Sequence, residues 1–468
     1  MRFIDLFAGL GGFHQALASL GHECVFACEL DPALREIYVR NFSGSLDYLE
    51  GDIRSSKNLI PEHDILCAGF PCQPFSKSGL QLGLRDQTRG TLFHEILEIL
   101  TEHRPEYVIL ENVGNFERHD GGRTWAVVRG NLEDLGYSVR GTTHLASGGH
   151  GLISPHHFGH PHHRERFFIV CRMGELPADP FPRGDRKQVT NLKQIVQTEA
   201  ELTACDKRET ALSAQQTECV NHWNALVRKI GTQTMIPSVP IWGDELTATY
   251  PFEEATPYDE AVNALHEEGV DESHPAFLEK VQAVLADLPS YARAPTFPRW
   301  KKNFIRANRS WFNSIRASIS PEWIDRLNEF PPSLRKLEWN CQGEERDLWK
   351  HVLQFRPSGL RVKRYTSVPA LVAMTTTQIP LLGPERRFIT RVEGLRLQGF
   401  PDDHHLPTTR ERAFAALGNG VHVDVVRKIA KKLLCGTTVA SDTPDLAEQG
   451  ELVFPLRPAV VEPHRAAS

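Results

Sequence analysis

Apolar and polar positions alternate along the first third of the chain in a repeating strand-then-helix rhythm. Residues 2–8, RFIDLFA, form an apolar run suited to a buried strand, and the glycine-rich turn Gly9-Leu10-Gly11-Gly12 follows it. Residues 13–20 then carry apolar side chains at helical spacing, residues 23–28 read as a second strand, and residues 31–42 as a helix that Pro32 can start. A short third segment leads to Gly51-Asp52-Ile53, and residues 64–68 form a fourth strand. Residues 91–103 predict an amphipathic helix, 107–110 a strand, 124–135 a helix, and 138–145 and 166–172 two further strands. Strands alternating with helices predict an α/β fold whose sheet is mostly parallel and covered on both faces. Ligands of such sheets sit outside the carboxyl ends of the strands. Gly9, Glu29, Asp52, Cys72 and Glu111 all fall at those ends.

The rhythm stops after Arg172. Residues 174–186 are rich in Pro, Gly and charge, which marks a boundary. Residues 191–382 follow a mixed pattern. Regularity returns with a helix at 411–416, a turn at Gly418-Asn419-Gly420 and a helix at 421–434. Residues 436–468 have the composition of a loose tail.

Composition narrows the class. The 468 residues are 40% hydrophobic and 24% charged, as in ordinary soluble globular proteins. No apolar run approaches the roughly 18 residues of a membrane span. The segment MRFIDLF enters a strand without the basic region and apolar core of a secretory signal. Nine cysteines with no Cys-x-x-Cys spacing argue against a disulfide framework and for the reducing cytosol. The net charge of −6 hides a local contrast: residues 293–320 carry Arg and Lys but no acid, whereas residues 251–287 are acid-rich.

The turn after the first strand lacks a full dinucleotide fingerprint, because His14 stands where a third spaced glycine belongs. Glu29 can accept hydrogen bonds from both hydroxyls of a ribose, and Asp52 can meet an adenine amino group. Ribose and adenine without a phosphate cradle suit a nucleoside such as S-adenosylmethionine better than NAD. The plain alternative is a tight turn followed by solvated acids. Most free cysteines are small buried hydrophobes, and Cys24, Cys28, Cys67 and Cys171 are read so. Cys72 differs: Pro71 and Pro74 fix its backbone and Ser76-Lys77-Ser78-Gly79 continues it. Its thiol needs nearby positive charge to become a nucleophilic thiolate, which Arg164 and Arg166 can supply. Glu111 ends an apolar strand, where a carboxyl can hold or donate a proton; alternatively it favours a helix dipole, with Asn112 as the cap. The histidines of SPHHFGHPHH match no metal-ligand spacing, and no metal is expected.

FIDLFAGLGG, ELDP, GDI, GFPCQPFS, GTLF, ENV, RERFFIV, LQGFP and GNGV occur in this order. The set resembles the bacterial-type DNA cytosine-5 methyltransferases, over residues 2–172 and 386–434. The resemblance implies a Rossmann-like S-adenosylmethionine-dependent methyltransferase domain with a mostly parallel sheet (residues 1–173 and 385–435). A smaller mixed target-recognition domain (174–384) interrupts it, and a flexible tail (436–468) follows. It also implies that cytosine is flipped from duplex DNA, that Cys72 attacks C6, and that Glu111 bonds N3 and the exocyclic amine. Arg166 would contact the cytosine O2 and Arg164 the surroundings of Cys72 and a phosphate. Phe7, Gly9, Gly11, Glu29, Asp52, Ile53, Phe70, Leu92 and Asn419 match cofactor positions, and Ser76 a residue near the target phosphate. His162 stands where the family usually has Gln, and no Thr-Leu pair lies between residues 361 and 382.

In residues 296–316, basic side chains interleave with Trp300, Phe304, Trp311 and Phe312, a pattern suited to phosphates and stacked bases. The plain alternative is a solvated basic face over a small aromatic core. DNA contacts are expected from Lys77, Arg299, Lys301, Arg306, Arg361 and Lys363. The expected enzyme is a cytoplasmic monomer acting on double-stranded DNA, protecting self DNA beside a restriction or other defence system. The rivals are an RNA cytosine-5 methyltransferase, a non-catalytic DNA-binding relative and a nucleotide-dependent oxidoreductase.

Overall fold

The computed structural model describes residues 1–71, 91–232, 234–371 and 378–434. The chain forms two compact units. The first takes Met1–Gly159, Arg164–Gln188 and the chain from Arg391; the second takes His160–His163 and Val189–Thr390. The division therefore runs at residues 188/189 and 390/391, beyond the composition break at 174 and the expected return at 385.

The first unit is built on a seven-stranded sheet. Its strands are β1 (Arg2–Leu6), β2 (Glu23–Cys28), β3 (Leu49–Glu50), β4 (Ile65–Gly69), β5 (Tyr107–Val113), β6 (Tyr137–Gly141) and β8 (Arg166–Met173), while the short β7 (His162–His163) pairs in the second unit. The order is β3-β2-β1-β4-β5-β8-β6. The first five strands run parallel, so their carboxyl ends share one edge; β8 is antiparallel to both of its neighbours. Parallel strands covered on both faces need continuous apolar runs, and Phe3, Ile4, Leu66, Cys67, Val108 and Ile109 are all fully buried.

The helices start where their caps dictate. Asp31 accepts from the Ala33 amide at 2.9 Å and Pro32 occupies the first position of Pro32–Asn41. Thr91 caps Leu92–His103, which buries Phe93, Ile96, Leu97 and Leu100 along one face. The helix Val423–Leu434 packs its apolar face on Gly12–Ala18. This contact joins the returning segment to the first turn of the chain.

Four local expectations change. β1 stops at Leu6 because Phe7 turns into the left-handed region at φ +58°. β5 runs on through Glu111 and Asn112, held by β8, so Asn112 is a strand residue and not a helix cap. β6 ends at Gly141, where a Cβ would lie 2.7 Å from the Phe167 ring. The helix Arg410–Asn419 absorbs Gly418 and Asn419, which the sequence places in a turn.

In the second unit a six-stranded mixed sheet has the order β15-β14-β11-β12-β10-β9. Its strands are β9 (Ile241–Trp242), β10 (Lys336–Asn340), β11 (Val352–Arg356), β12 (Gly359–Lys363), β14 (Leu381–Leu382) and β15 (Arg387–Phe388), and β13 (Val368–Pro369) pairs with β7. Trp223 and Trp339 are fully buried.

Gly12 reports on the docking of the returning segment. A Cβ there would sit 2.6 Å from Val421 Cγ2. Gly12→Ala is expected to lower stability by about 1–3 kcal/mol in chemical unfolding. Adding Val421→Ala should recover part of that loss; no recovery would mean that the clash lies elsewhere.

Candidate active site

The carboxyl edge of the sheet holds the predicted residues of the β1, β2, β3, β4 and β5 tips. At the β1 tip, Phe7, Gly9 (φ +54°) and Gly11 (φ +78°) turn the chain tightly. Gly11 leaves no room for a side chain, since a Cβ would lie 2.2 Å from Phe42 Cε2. One tip along, Glu29 Oε2 accepts from the Gly9 amide at 2.8 Å and Oε1 from the Asp31 amide at 2.9 Å. Each carboxylate oxygen has a second lone pair, so two acceptor positions remain beside the glycine turn. Asp52 caps the short helix Ile53–Ser56, and both of its oxygens are bound by Arg54. These hydrogen bonds hold the Asp52 carboxyl below its ordinary range. An adenine amino group would have to share Asp52 with Arg54. Ile53 and Phe70 are buried, Leu92 opens its helix and is half-buried, and Asn419 is exposed.

Glu111 is set by register. In β5 it pairs with Gly69 of β4 on one side and Phe168 of β8 on the other. Arg166 stands opposite Val113, which makes Glu111 its diagonal neighbour on the same face. The Arg166 Nε lies 2.9 Å from Glu111 Oε1. This separation makes an ion pair, but the geometry is not that of a hydrogen bond, and Oε1 has no donor among the described residues. A Cβ at Gly69 would sit 3.8 Å from Glu111 Oε2, so the β4 tip passes close to the carboxylate. Asn112 faces the other way and donates to the Phe70 carbonyl at 2.8 Å, which ties down the backbone just before Pro71 and Cys72.

Arg164 is 2% exposed. Its Nη2 donates to the Gly420 carbonyl at 2.7 Å, while Nε and Nη1 have no partner among the described residues. Burial, with repulsion from Arg166, pushes the guanidinium down to about 9, against the pull of Glu111. A guanidinium in a protein stays protonated, so the shift expresses the cost of a buried cation lacking a full anionic partner.

Cys72, Ser76 and Lys77 lie outside the described residues, as do residues 372–377 of the stretch where a Thr-Leu pair was sought. His162 is fully buried and pairs in register with Val368.

In the second unit the basic helix Arg299–Ser314 answers mostly to the plain alternative. Its Ile305, Trp311 and Phe312 are core residues, and among its large apolar side chains Trp300 is exposed, at 54%. Lys301 is buried, its Nζ donates to the Tyr291 carbonyl at 2.8 Å and it lies over the Phe297 ring. Arg306 is paired with Glu253 and Arg361 with Glu338. Lys363 is half-buried, and Arg299 is exposed.

The sequence reading missed Asp5. It is fully buried within β1, its Oδ2 accepts from the His14 amide at 3.3 Å, and Oδ1 has no partner among the described residues. His14 stacks on Phe42 at 3.8 Å, and its Nδ1 lies 2.7 Å from the Tyr38 hydroxyl. Burial pushes His14 down to about 4, so its ring is neutral at pH 7. The position called a missing glycine is thus a packing residue under the glycine turn. A charged residue between Ile4 and Leu6 in a doubly covered strand was the available signal.

A family model described as C-5 cytosine-specific DNA methylase matches residues 1–435. The chain belongs to this family. It is 33% identical to the type II methyltransferase M.AluI of Cellulosimicrobium cellulans, covering 92% of this chain and 91% of that protein. M.BanI of Aneurinibacillus aneurinilyticus is 28% identical, with coverages of 92% and 95%. M.HhaI of Haemophilus parahaemolyticus is 40% identical over 47% of this chain and 64% of its own length. This C-5 cytosine-specific DNA methylase is therefore an enzyme that methylates cytosine in DNA. The RNA-directed, non-catalytic and oxidoreductase rivals are set aside. Among the described residues no group of side chains is arranged to hold a metal ion, and no helix is long and apolar enough to cross a membrane.

Burial raises the Asp5 carboxyl well above its ordinary value, with the Glu29 charge adding to it. A raised carboxyl favours the protonated folded state, so ionisation costs stability above the unfolded value and the cost vanishes below it. Asp5→Asn should therefore unfold at a higher temperature than the parent at pH 8, with the two converging near pH 4. An equal difference at both pH values would contradict a charged Asp5.

Proposed function

We propose that this DNA cytosine-5 methyltransferase uses S-adenosylmethionine, held by Phe7, Gly9, Gly11, Glu29, Asp52, Ile53, Phe70, Leu92 and Asn419. The two free acceptor positions on Glu29 support this, because they suit the paired hydroxyls of a ribose. The cofactor supplies an electrophilic methyl group on its sulfonium.

The observation that carries the catalytic reading is the convergence of three groups on one sheet edge. They are the Glu111 carboxylate, the Arg166 side chain 2.9 Å from it, and the strand end that delivers Cys72. A cytosine inside a duplex stack is out of reach, so the base must be flipped into the site. The Cys72 thiolate adds to C6 as Glu111 holds a proton at N3, which moves electron density to C5. Carbon 5 takes the methyl group, and the C–S bonding pair stays with the sulfur, so that the spent cofactor would leave as the neutral thioether S-adenosylhomocysteine. Loss of the C5 proton then returns its electron pair to the ring and expels Cys72, leaving 5-methylcytosine. Arg166 fixes the Glu111 carboxylate and reaches the cytosine O2. The buried charge of Arg164 favours the Cys72 thiolate and a nearby phosphate. Ser76 and Lys77 contact the target strand.

The target-recognition domain expected at 174–384 is assigned to the second unit, which takes most of those residues. Among the contacts expected from this unit, Arg299 is exposed, Arg306 and Arg361 would exchange their pairings with Glu253 and Glu338 for phosphates, and Lys363 is half-buried. The relatives M.AluI and M.HhaI are named type II methyltransferases, which supports a role in protecting self DNA beside a restriction or defence partner. On this reading the enzyme acts in the cytoplasm as a monomer.

Cys72→Ala should abolish methyl transfer and the covalent adduct on 5-fluorocytosine DNA, while cofactor and DNA binding persist. Residual methylation would point to another nucleophile. Glu111→Gln should slow turnover at least about 100-fold; near-normal turnover would remove Glu111 from the proton path. Bisulfite sequencing of DNA from expressing cells identifies the site.

A further inference from the structure

The same sheet edge continues past the catalytic strands. β6 is parallel to β5, because both are antiparallel to the β8 between them. Its carboxyl end, Gly141, therefore lies on the edge that holds Glu111. A cavity of about 600 Å³ opens there, lined by Arg140, His150, Phe181, Arg183 and Arg186, with Asp179 its one lining carboxylate.

The cavity is built from fixed parts. Arg186 donates to the His150 carbonyl at 2.6 Å and the Leu152 carbonyl at 3.0 Å, and lies where a Cβ on Gly151 would stand, 2.7 Å from Nη2. Gly184 packs against the His157 backbone, where a Cβ would come within 2.5 Å of the carbonyl oxygen. The His150 and Phe181 rings are in contact at 5.3 Å. Two guanidinium groups reach solvent, that of Arg140 while its Nη1 donates to the Val139 carbonyl at 3.1 Å. Arg140 is exposed, and Arg183 is 81% exposed with only a surface pairing to Asp179. Such a pairing is worth little and is readily exchanged for a phosphate.

We propose that this cavity receives the phosphodiester backbone of the duplex flanking the target cytosine, with Arg140 and Arg183 as the phosphate-contacting residues. The proposal rests on the catalytic assignment of the β4 and β5 tips. β6 is two strands from β5, and strands lie about 4.8 Å apart, so the offset is roughly 10 Å. For a duplex lying along the sheet edge, at about 3.4 Å of rise per base pair, this corresponds to phosphates some three base pairs from the flipped base, on one side of it. Three arginines against one carboxylate give the cavity a net positive lining that favours an anionic ligand.

The test compares the full-length enzyme with Arg140→Ala/Arg183→Ala on duplexes bearing the site found by bisulfite sequencing. Each lost phosphate contact lowers the slope of log affinity against log salt by about one. The double variant should lose about two from that slope on a long duplex, with KM raised and kcat unchanged. Trimming the long duplex to about two base pairs beyond the target should abolish the difference between variant and parent on one side only. Arg129→Ala, which removes an exposed charge from the helix Arg123–Asp134, should keep the parental slope. An unchanged slope in the double variant, or an equal loss in Arg129→Ala, overturns the groove. A parent enzyme that methylates no DNA overturns the catalytic assignment and the groove together; one that methylates while the variant keeps its full slope overturns the groove alone.

Discussion

The antiparallel pairing of β8 with β5 is the constraint on which the charged part of the site depends. Parallel strands alone would bring only their carboxyl ends to the edge. By running the other way, β8 brings its amino end there, and with it Arg166. The register then sets the chemistry. A shift of one residue would turn Arg166 to the opposite face, and a shift of two would move it beyond reach of the carboxylate. The same pairing extends β5 through Asn112, whose amide holds the Phe70 carbonyl. The backbone entering the Cys72 stretch is thus anchored by the strand that carries Glu111.

The first unit tolerates several buried polar groups that a purely structural sheet would avoid. Arg164 and Asp5 are both buried with unpaired polar atoms among the described residues. Removing a charge from water without a full set of partners costs free energy. These costs fall beside the glycine turn and beside Glu111, the two parts of the proposed site. By contrast, His14 is neutral and packed between Phe42 and Tyr38, so the glycine turn rests on an uncharged aromatic floor.

The chain leaves the first unit at Gln188 and returns at Arg391. What returns is part of the site and not a covering layer. The Gly420 carbonyl holds Arg164, Val421 fills the space that Gly12 leaves open, and the His404 ring lies 3.0 Å from the Leu10 carbonyl. The glycines of the first turn therefore have separate reasons: Gly9 and Gly11 take a left-handed backbone, with Phe42 also crowding Gly11, and Gly12 leaves room for Val421, some 400 residues later in the chain.

Periodicity alone determined most strands and helices of the first unit, because burial on both sheet faces demands continuous apolar runs and caps demand particular residues. The glycine turn, Glu29 and Glu111 were legible at the strand ends for the same reason, and the ordered motifs carried the family. Tertiary structure decided what depends on a partner distant in the chain. Asn112 is a strand residue because β8 pairs there, and Asp52 is shared with Arg54. Lys301 points into its own unit, since helical spacing shows which residues share a face but not whether that face meets solvent or a carbonyl. Arg140 and Arg183 lie far apart in the chain, and only the fold of the sheet edge brings them to one groove.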